Sequence, residues 1–171
     1  MTTDHHKPAP WLQRLILGRN PRLTLIRALV IAALTVLVFK LVALPIQVRG
    51  GSMLPTYRDR SVNLLNHLAY WRHDPQRGDV VGIRFAGNSV MLLKRIVGLP
   101  GECIGFRSGR VTVNGKKLDE SYVKLPSDWE REPVRLGPDD YFVVGDNRSM
   151  PMADHTFGIA KRDRILGKIM L

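Results

Sequence analysis

The sequence predicts a mainly β domain, antiparallel and barrel-like or sandwich-like, preceded by one N-terminal transmembrane helix. Three observations predict it. One apolar run is long enough to cross a bilayer. Beyond Pro45 no stretch of 12 or more residues keeps a helical apolar stripe. The rest of the chain is a series of short apolar runs cut by Gly and Pro turns, the pattern of an antiparallel sheet protein.

The apolar run is Ala28-Leu-Val-Ile-Ala-Ala-Leu-Thr-Val-Leu-Val-Phe39, continued past Lys40 by Leu41–Leu44. From Ala28 to Ile46 it reaches the ~20 residues that a membrane helix needs. Lys40 fits by snorkelling to the headgroups near one end. A register beginning at Leu23 serves equally, with Arg27 at the inner interface, and the anchor is assigned to 23–45. The 27 residues before the run are long for the basic region of a cleaved leader, and Val42–Pro45 is a poor cleavage pattern, so an uncleaved anchor is expected. Arg14, Arg19, Arg22 and Arg27 precede the core, which puts residues 1–22 in the cytoplasm and residues 46–171 across the membrane.

The expected strands are Asp79–Phe85, Val90–Val97, Glu102–Phe106, Arg110–Val113, Tyr141–Val144 and Arg164–Met170. Residues 61–72 read as a short strand and a turn of helix. Asn114-Gly115 is the strongest local signal, since a two-residue type I′ hairpin turn needs positive φ at both central positions. Residues 126–139, with three prolines amid charge, read as an exposed connection. The stretch 99–140 as a whole reads as a small subsidiary hairpin lobe.

With 171 residues and 44% hydrophobic composition the chain is ordered, and too short for a multidomain enzyme or a polytopic transporter. Its one cysteine, Cys103, excludes an intrachain disulfide framework and a four-cysteine zinc site. The net charge of +11 raises acidic partners, lipid headgroups or nucleic acid. Topology and headgroup attraction account for the charge, and without a recognition-helix pattern or aromatic-basic interleaving no nucleic-acid partner is expected. No metal is expected, because His67, His73 and His155 lack ligand-like spacing and His5 and His6 lie in the tail.

Three segments are odd for pure scaffolding. In Gly50-Gly51-Ser52-Met53-Leu54-Pro55-Thr56, paired glycines before a serine let the backbone approach a ligand while the serine offers both hydroxyl and N–H. Lys94 shares a strand face with Val90, Leu92 and Ile96, so it is either an edge lysine with its head in water or a buried one. Burial would depress its pKa and supply a neutral amine as base, which the neighbouring Arg95 cannot do. Gly145-Asp146-Asn147-Arg148 is a polar turn able to brace nearby backbone. Serine and lysine can act together as nucleophile and base without histidine.

Gly51–Thr56, Arg77-Gly-Asp-Val-Val81, Leu93-Lys-Arg-Ile-Val-Gly-Leu-Pro-Gly101 and Gly145–Arg148, in that order and behind an anchor, resemble bacterial signal peptidase I, the membrane-anchored Ser/Lys serine endopeptidases. The resemblance covers residues 25–171. It implies a mainly β catalytic core with a small β extension, here 99–140, and removal of signal peptides from exported preproteins at the outer face of the plasma membrane. It implies Ser52 as nucleophile, Lys94 as general base, and no cofactor. Gly50, Gly51, Asp146, Arg148 and Ser149 are the expected oxyanion and supporting residues, and Met53, Leu54, Pro55, Leu92 and Leu93 the substrate-binding ones. The expected partners are signal peptides, a bilayer with anionic headgroups and, transiently, the secretion translocon.

Two departures from the family pattern stand out. Gly50 occupies the place of an oxyanion-stabilising hydroxyl, and the last motif runs Ser149-Met-Pro-Met-Ala-Asp154-His-Thr-Phe-Gly158, with Pro151 where a supporting serine belongs. Ser149 or Thr156 is then the candidate hydroxyl partner of the lysine. Asp146 should pair away from Lys94, with Arg95 or Arg148, because a carboxylate on the lysine would favour its charged form. The alternatives are a maturation peptidase dedicated to one substrate class (conjugation, pilin-like or mitochondrial inner-membrane type), a cytoplasmic self-cleaving repressor-type Ser/Lys protease, against which the anchor counts, and an inactive tethered binding module.

Overall fold

The computed structural model describes residues 20–84 and 91–170. The residues expected to form the cytoplasmic segment, apart from its last three, lie outside that set, as do Phe85, the Gly87-Asn88 turn and Val90. The chain divides into two units at Lys40.

The described part of the first unit is helical. Helix α1 runs Pro21–Val42, with Pro21 preset for a first helical turn and Asn20 O accepting from Thr24 N at 3.1 Å. Its segment Pro21–Lys40 is long and apolar enough to cross a membrane, and large side chains such as Leu29, Ile31 and Phe39 are exposed. Twenty-two residues rising ~1.5 Å each span roughly 33 Å, close to a hydrocarbon core of ~30 Å. The anchor assignment needs correcting at its end: the helix stops at Val42, and Ala43–Gln47 is strand β1, so the apolar run to Ile46 divides between two elements.

The β unit contains two antiparallel sheets. After β1 come β2 (Val62–Asn66), β3 (Val80–Arg84), β4 (Met91–Gly98), β5 (Cys103–Arg107), β6 (Arg110–Val113), β7 (Lys116–Lys117), β8 (Arg131–Arg135), β9 (Asp140–Val144), β10 (Gly158–Lys161) and β11 (Ile165–Met170). The large sheet has the order β1-β2-β11-β3-β4-β9-β10, and the small one β7-β6-β5-β8. The stretch 99–140 thus holds a four-stranded sheet where a hairpin was expected. Asn114 and Gly115 turn β6 into β7 with φ of 51° and 79°, as the type I′ reading requires. Residues 126–139 are not simply an exposed connection: Trp129 is buried, and β8 pairs with β5. Residues 67–73 form turns after β2, with no helix.

Three apolar clusters hold the unit together. β9 is buried along its whole length because alternate residues feed different clusters. Tyr141 and Val143 join Val81, Ile83, Ile96 and Ile165, while Phe142 and Val144 join Ile104, Phe106 and Val111 of the small sheet and Trp129 from the segment before β8. The third cluster, with Met53, Tyr57, Leu65, Val80, Leu93 and Ile169, underlies the loop that carries Ser52.

Candidate functional site

Lys94 lies on β4, a central strand between β3 and β9, so the edge-lysine alternative is excluded. It faces Val81 across β3 and is 3% exposed. Burial pushes its amine down to about 8, because removing water penalises the charged form.

On the other side of β4, Arg95 pairs with Val144. Continuing that register by one residue sets Gly145 opposite Lys94, on the same face of the sheet. The Ser52 loop fills the space that a side chain on Gly145 would take. A Cβ there would lie 2.1 Å from Ser52 O and 2.7 Å from His155 Nε2. The glycine therefore lets the serine backbone sit against the face that bears Lys94.

The turn after β9 fixes this approach. Asn147 N donates to Ser52 O at 3.0 Å, and Asn147 Nδ2 donates to Gly51 O at 3.0 Å. Asp146, fully buried, accepts from Arg95 Nε at 2.8 Å, from Arg95 Nη2 at 2.6 Å and from Thr56 Oγ1 at 2.6 Å. One carboxylate thus joins the residue beside Lys94 to the end of the serine loop by short charge-assisted bonds. Of the two partners expected for Asp146, the structure selects Arg95. Arg148, fully buried, donates to Gly145 O at 2.9 Å and pairs with Glu120 from the small sheet's side.

The remaining expected residues divide. Gly50 holds φ of +89° and donates its N–H to Asp59 Oδ1 at 2.8 Å. Ser52, Met53, Leu92 and Leu93 line a cavity of about 510 Å³ together with Ile46, Val48 and Met91; Leu54 and Pro55 do not line it. Met53, 1% exposed, also belongs to the core. The Ser149 hydroxyl donates to Asn147 Oδ1 at 2.7 Å, which engages it away from the lysine. Thr156 is exposed and lines a second cavity with Lys94.

Sequence reasoning passed over His155, weighed only as a metal ligand. It is 4% exposed and sits edge-on to Trp129, with ring centroids 5.0 Å apart. Burial first, then the charges of Lys94 and Arg148, push it down to about 4, so it is neutral at physiological pH. Its place beside the serine loop depends on Trp129, 26 residues earlier, which no local pattern announces.

A β domain following a membrane-length helix, with a serine loop braced against the face of a buried lysine, is the layout expected of a membrane-bound Ser/Lys peptidase. The chain matches the family described as signal peptidase, peptidase S26, over residues 22–171, and it belongs to that family. It is 34% identical over 125 residues to a probable signal peptidase I-2 of Synechocystis sp., covering 70% of this chain and 57% of that one. It is 31% identical over 128 residues to a signal peptidase I of Leptolyngbya laminosa, covering 70% and 63%. With a signal peptidase I of Bacillus caldolyticus the identity is 33% over 136 residues, covering 71% and 74%. The chain thus spans about three-fifths of the length of the first two. The crystal structure of a signal peptidase I from Enterococcus faecalis superposes with a TM-score of 0.46 at 25% identity, covering 57% of this chain and 97% of that one.

Proposed function

We propose that the chain is an endopeptidase that removes signal peptides from exported preproteins, with Ser52 as nucleophile and Lys94 as general base. The observation that carries this reading is a lysine buried in a central strand, lowered to about 8 by burial, with the serine loop held against its face. Lys94 Nζ, neutral, takes the proton from Ser52 Oγ as the oxygen attacks the scissile carbonyl carbon. The Ser52 N–H, in a turn braced by Asn147, stabilises the oxyanion. The ammonium then protonates the leaving amine, which departs as the mature N-terminus. Water attacks the acyl ester as Lys94 takes one of its protons and returns it to Ser52 Oγ when the ester bond breaks, and the signal peptide leaves as a carboxylic acid that gives its remaining proton to solvent.

The cavity beside Ser52 supports the substrate class. Its apolar walls, Met53, Leu92, Leu93 and Met91, suit small apolar side chains of an extended peptide. Helix α1 anchors the chain in the plasma membrane, with its basic N-terminal side cytoplasmic and the β unit outside. Arg22 and Arg27 attract anionic headgroups, and preproteins arrive from a nearby translocon.

Incubation of the purified full chain in detergent with a panel of preproteins tests the reading. Cleavage at the leader junction is expected, abolished by Ser52→Ala and by Lys94→Ala and not restored by Lys94→Arg, since arginine stays protonated. A folded protein that cuts no preprotein refutes the substrate class, and near-normal activity of Lys94→Arg refutes the base.

A further inference from the structure

His155 is a buried titratable side chain for which the Ser52/Lys94 reaction has no task. Among the described residues neither of its ring nitrogens has a hydrogen-bond partner, although both are shut off from solvent. Leaving a buried polar atom unmade costs ~1–3 kcal/mol, so such atoms in a native site call for an explanation.

The surroundings of the ring supply one. Nε2 and Cε1 face the Cα of Gly145, at 2.7 and 2.8 Å from where its Cβ would stand, beside Ser52 O. Gly145 stands opposite Lys94 when the ladder is continued, so the ring edge and the serine backbone lie over the face of β4 and β9 that bears the lysine. The groups that face the ring are few. Lys94 from β4 and Arg148 from the turn are the cations that act on it, the backbone of Thr156 and Asn147 acts the opposite way by favouring its charged form, and Trp129 and Phe157 cover its flanks. The carboxylates around the turn are engaged elsewhere or face solvent: Asp146 is held by Arg95 and Thr56, Glu120 by Arg148 and Tyr122, and Asp154, next to the ring in sequence, is exposed.

A lysine acting as base has two N–H bonds and one lone pair. The lone pair aims at the serine hydroxyl only when the N–H bonds are held by acceptors. A carboxylate acceptor would restore the ammonium, whereas an uncharged imidazole nitrogen accepts without adding negative charge.

We propose that His155 is a positioning residue for the Lys94 base, its bare ring nitrogen accepting one N–H of the amine and so directing the lone pair toward Ser52 Oγ. It takes the part for which Ser149 and Thr156 were candidates. This inference rests on the Ser52/Lys94 reading.

The test uses the full chain in detergent with a cleavable peptide, and lysine ¹³Cε and histidine ¹⁵N labels to follow both side chains by NMR. His155→Leu should lower kcat on the order of 10²-fold with little change in KM, as a misaimed base does. It should also shift the Lys94 titration midpoint downward, because a lost acceptor no longer favours the ammonium. His155→Gln, which keeps an acceptor oxygen, should recover at least ~10-fold of the rate by restoring that aim. In the unsubstituted protein the His155 ¹⁵N shifts should inflect at the Lys94 midpoint, a readout that needs no variant to fold. Equal rate losses in the leucine and glutamine variants with an unmoved lysine midpoint overturn the proposal, as does a wild-type ¹⁵N titration without that inflection. If Lys94→Ala still cleaves, the dyad itself fails, while the NMR titrations decide separately whether the two side chains touch.

Discussion

Gly145→Ala isolates the packing on which the site depends. Gly145 is not in the left-handed region, so its backbone accepts an alanine and only space is at issue. The new Cβ would stand 2.1 Å from Ser52 O, where ordinary contact begins at 3.4 Å. The serine peptide must therefore retreat by about 1.3 Å, or β9 must yield by as much, and either breaks the 3.0 Å bond from Asn147 N. A displacement of about 1 Å at reacting groups costs on the order of 10²-fold in rate. Overpacking of this kind costs ~1–3 kcal/mol of stability. Single-turnover cleavage and thermal melting, measured on one preparation, should show a rate loss near 10²-fold beside a modest fall in Tm. An alanine variant that melts lower but cleaves at the wild-type rate would refute the idea that this glycine sets the serine's place.

Cleavage should rise with pH through about 8, since the neutral amine is the active form and burial lowers Lys94 to that value; a kcat/KM profile flat from pH 6 to 9 counts against it. The same depression has a sign in stability: the unfolded chain binds the proton up to about 10.5, so stability should increase from pH 8 toward 10.5, as denaturant melts across that range would record. Asp146→Asn should lower Tm and rate together, by about 3–5 kcal/mol in stability, because Arg95 keeps its charge in a largely buried place. Gly50→Ala should cost ~1–2 kcal/mol through its φ of +89° alone, as its Cβ meets nothing within 4 Å; chemical denaturation measures it.

What could be read from the chain without its structure was what local chemistry determines. Asn114-Gly115 specifies its own turn, and the runs that became β3, β4, β6 and β9 carry enough apolar residues to declare themselves. β1 was hidden because Ala43-Leu-Pro-Ile continues the grease of the anchor without a break. Pro45 is tolerated there since β1 is an edge strand, free of a partner on one side. β8 was hidden by Pro133, which falls where the pairing with β5 shifts register. Ser52 and Lys94 drew notice through glycine context and a charge among apolar residues, and only the place of β4 inside the sheet decided that the lysine is not at an edge. The roles of Glu120 and Trp129 beside the site, and the burial of His155, arise from the small sheet folding back on the turn after β9, and no window of sequence contains both partners.

That backing has a consequence for how the small lobe can vary. Leu125 bridges to Asn147, Arg148 N donates to Leu125 O at 2.9 Å, and Trp129 Nε1 donates to Met150 O at 3.2 Å. The segment 120–129 is therefore a splint along the rear of the turn that holds the serine loop. The Asn114-Gly115 tip, by contrast, is exposed, and Gly115 has open space around it. Length added at the tip leaves the splint where it is, whereas length removed between 118 and 129 withdraws support from a serine that lies more than sixty residues away in the chain.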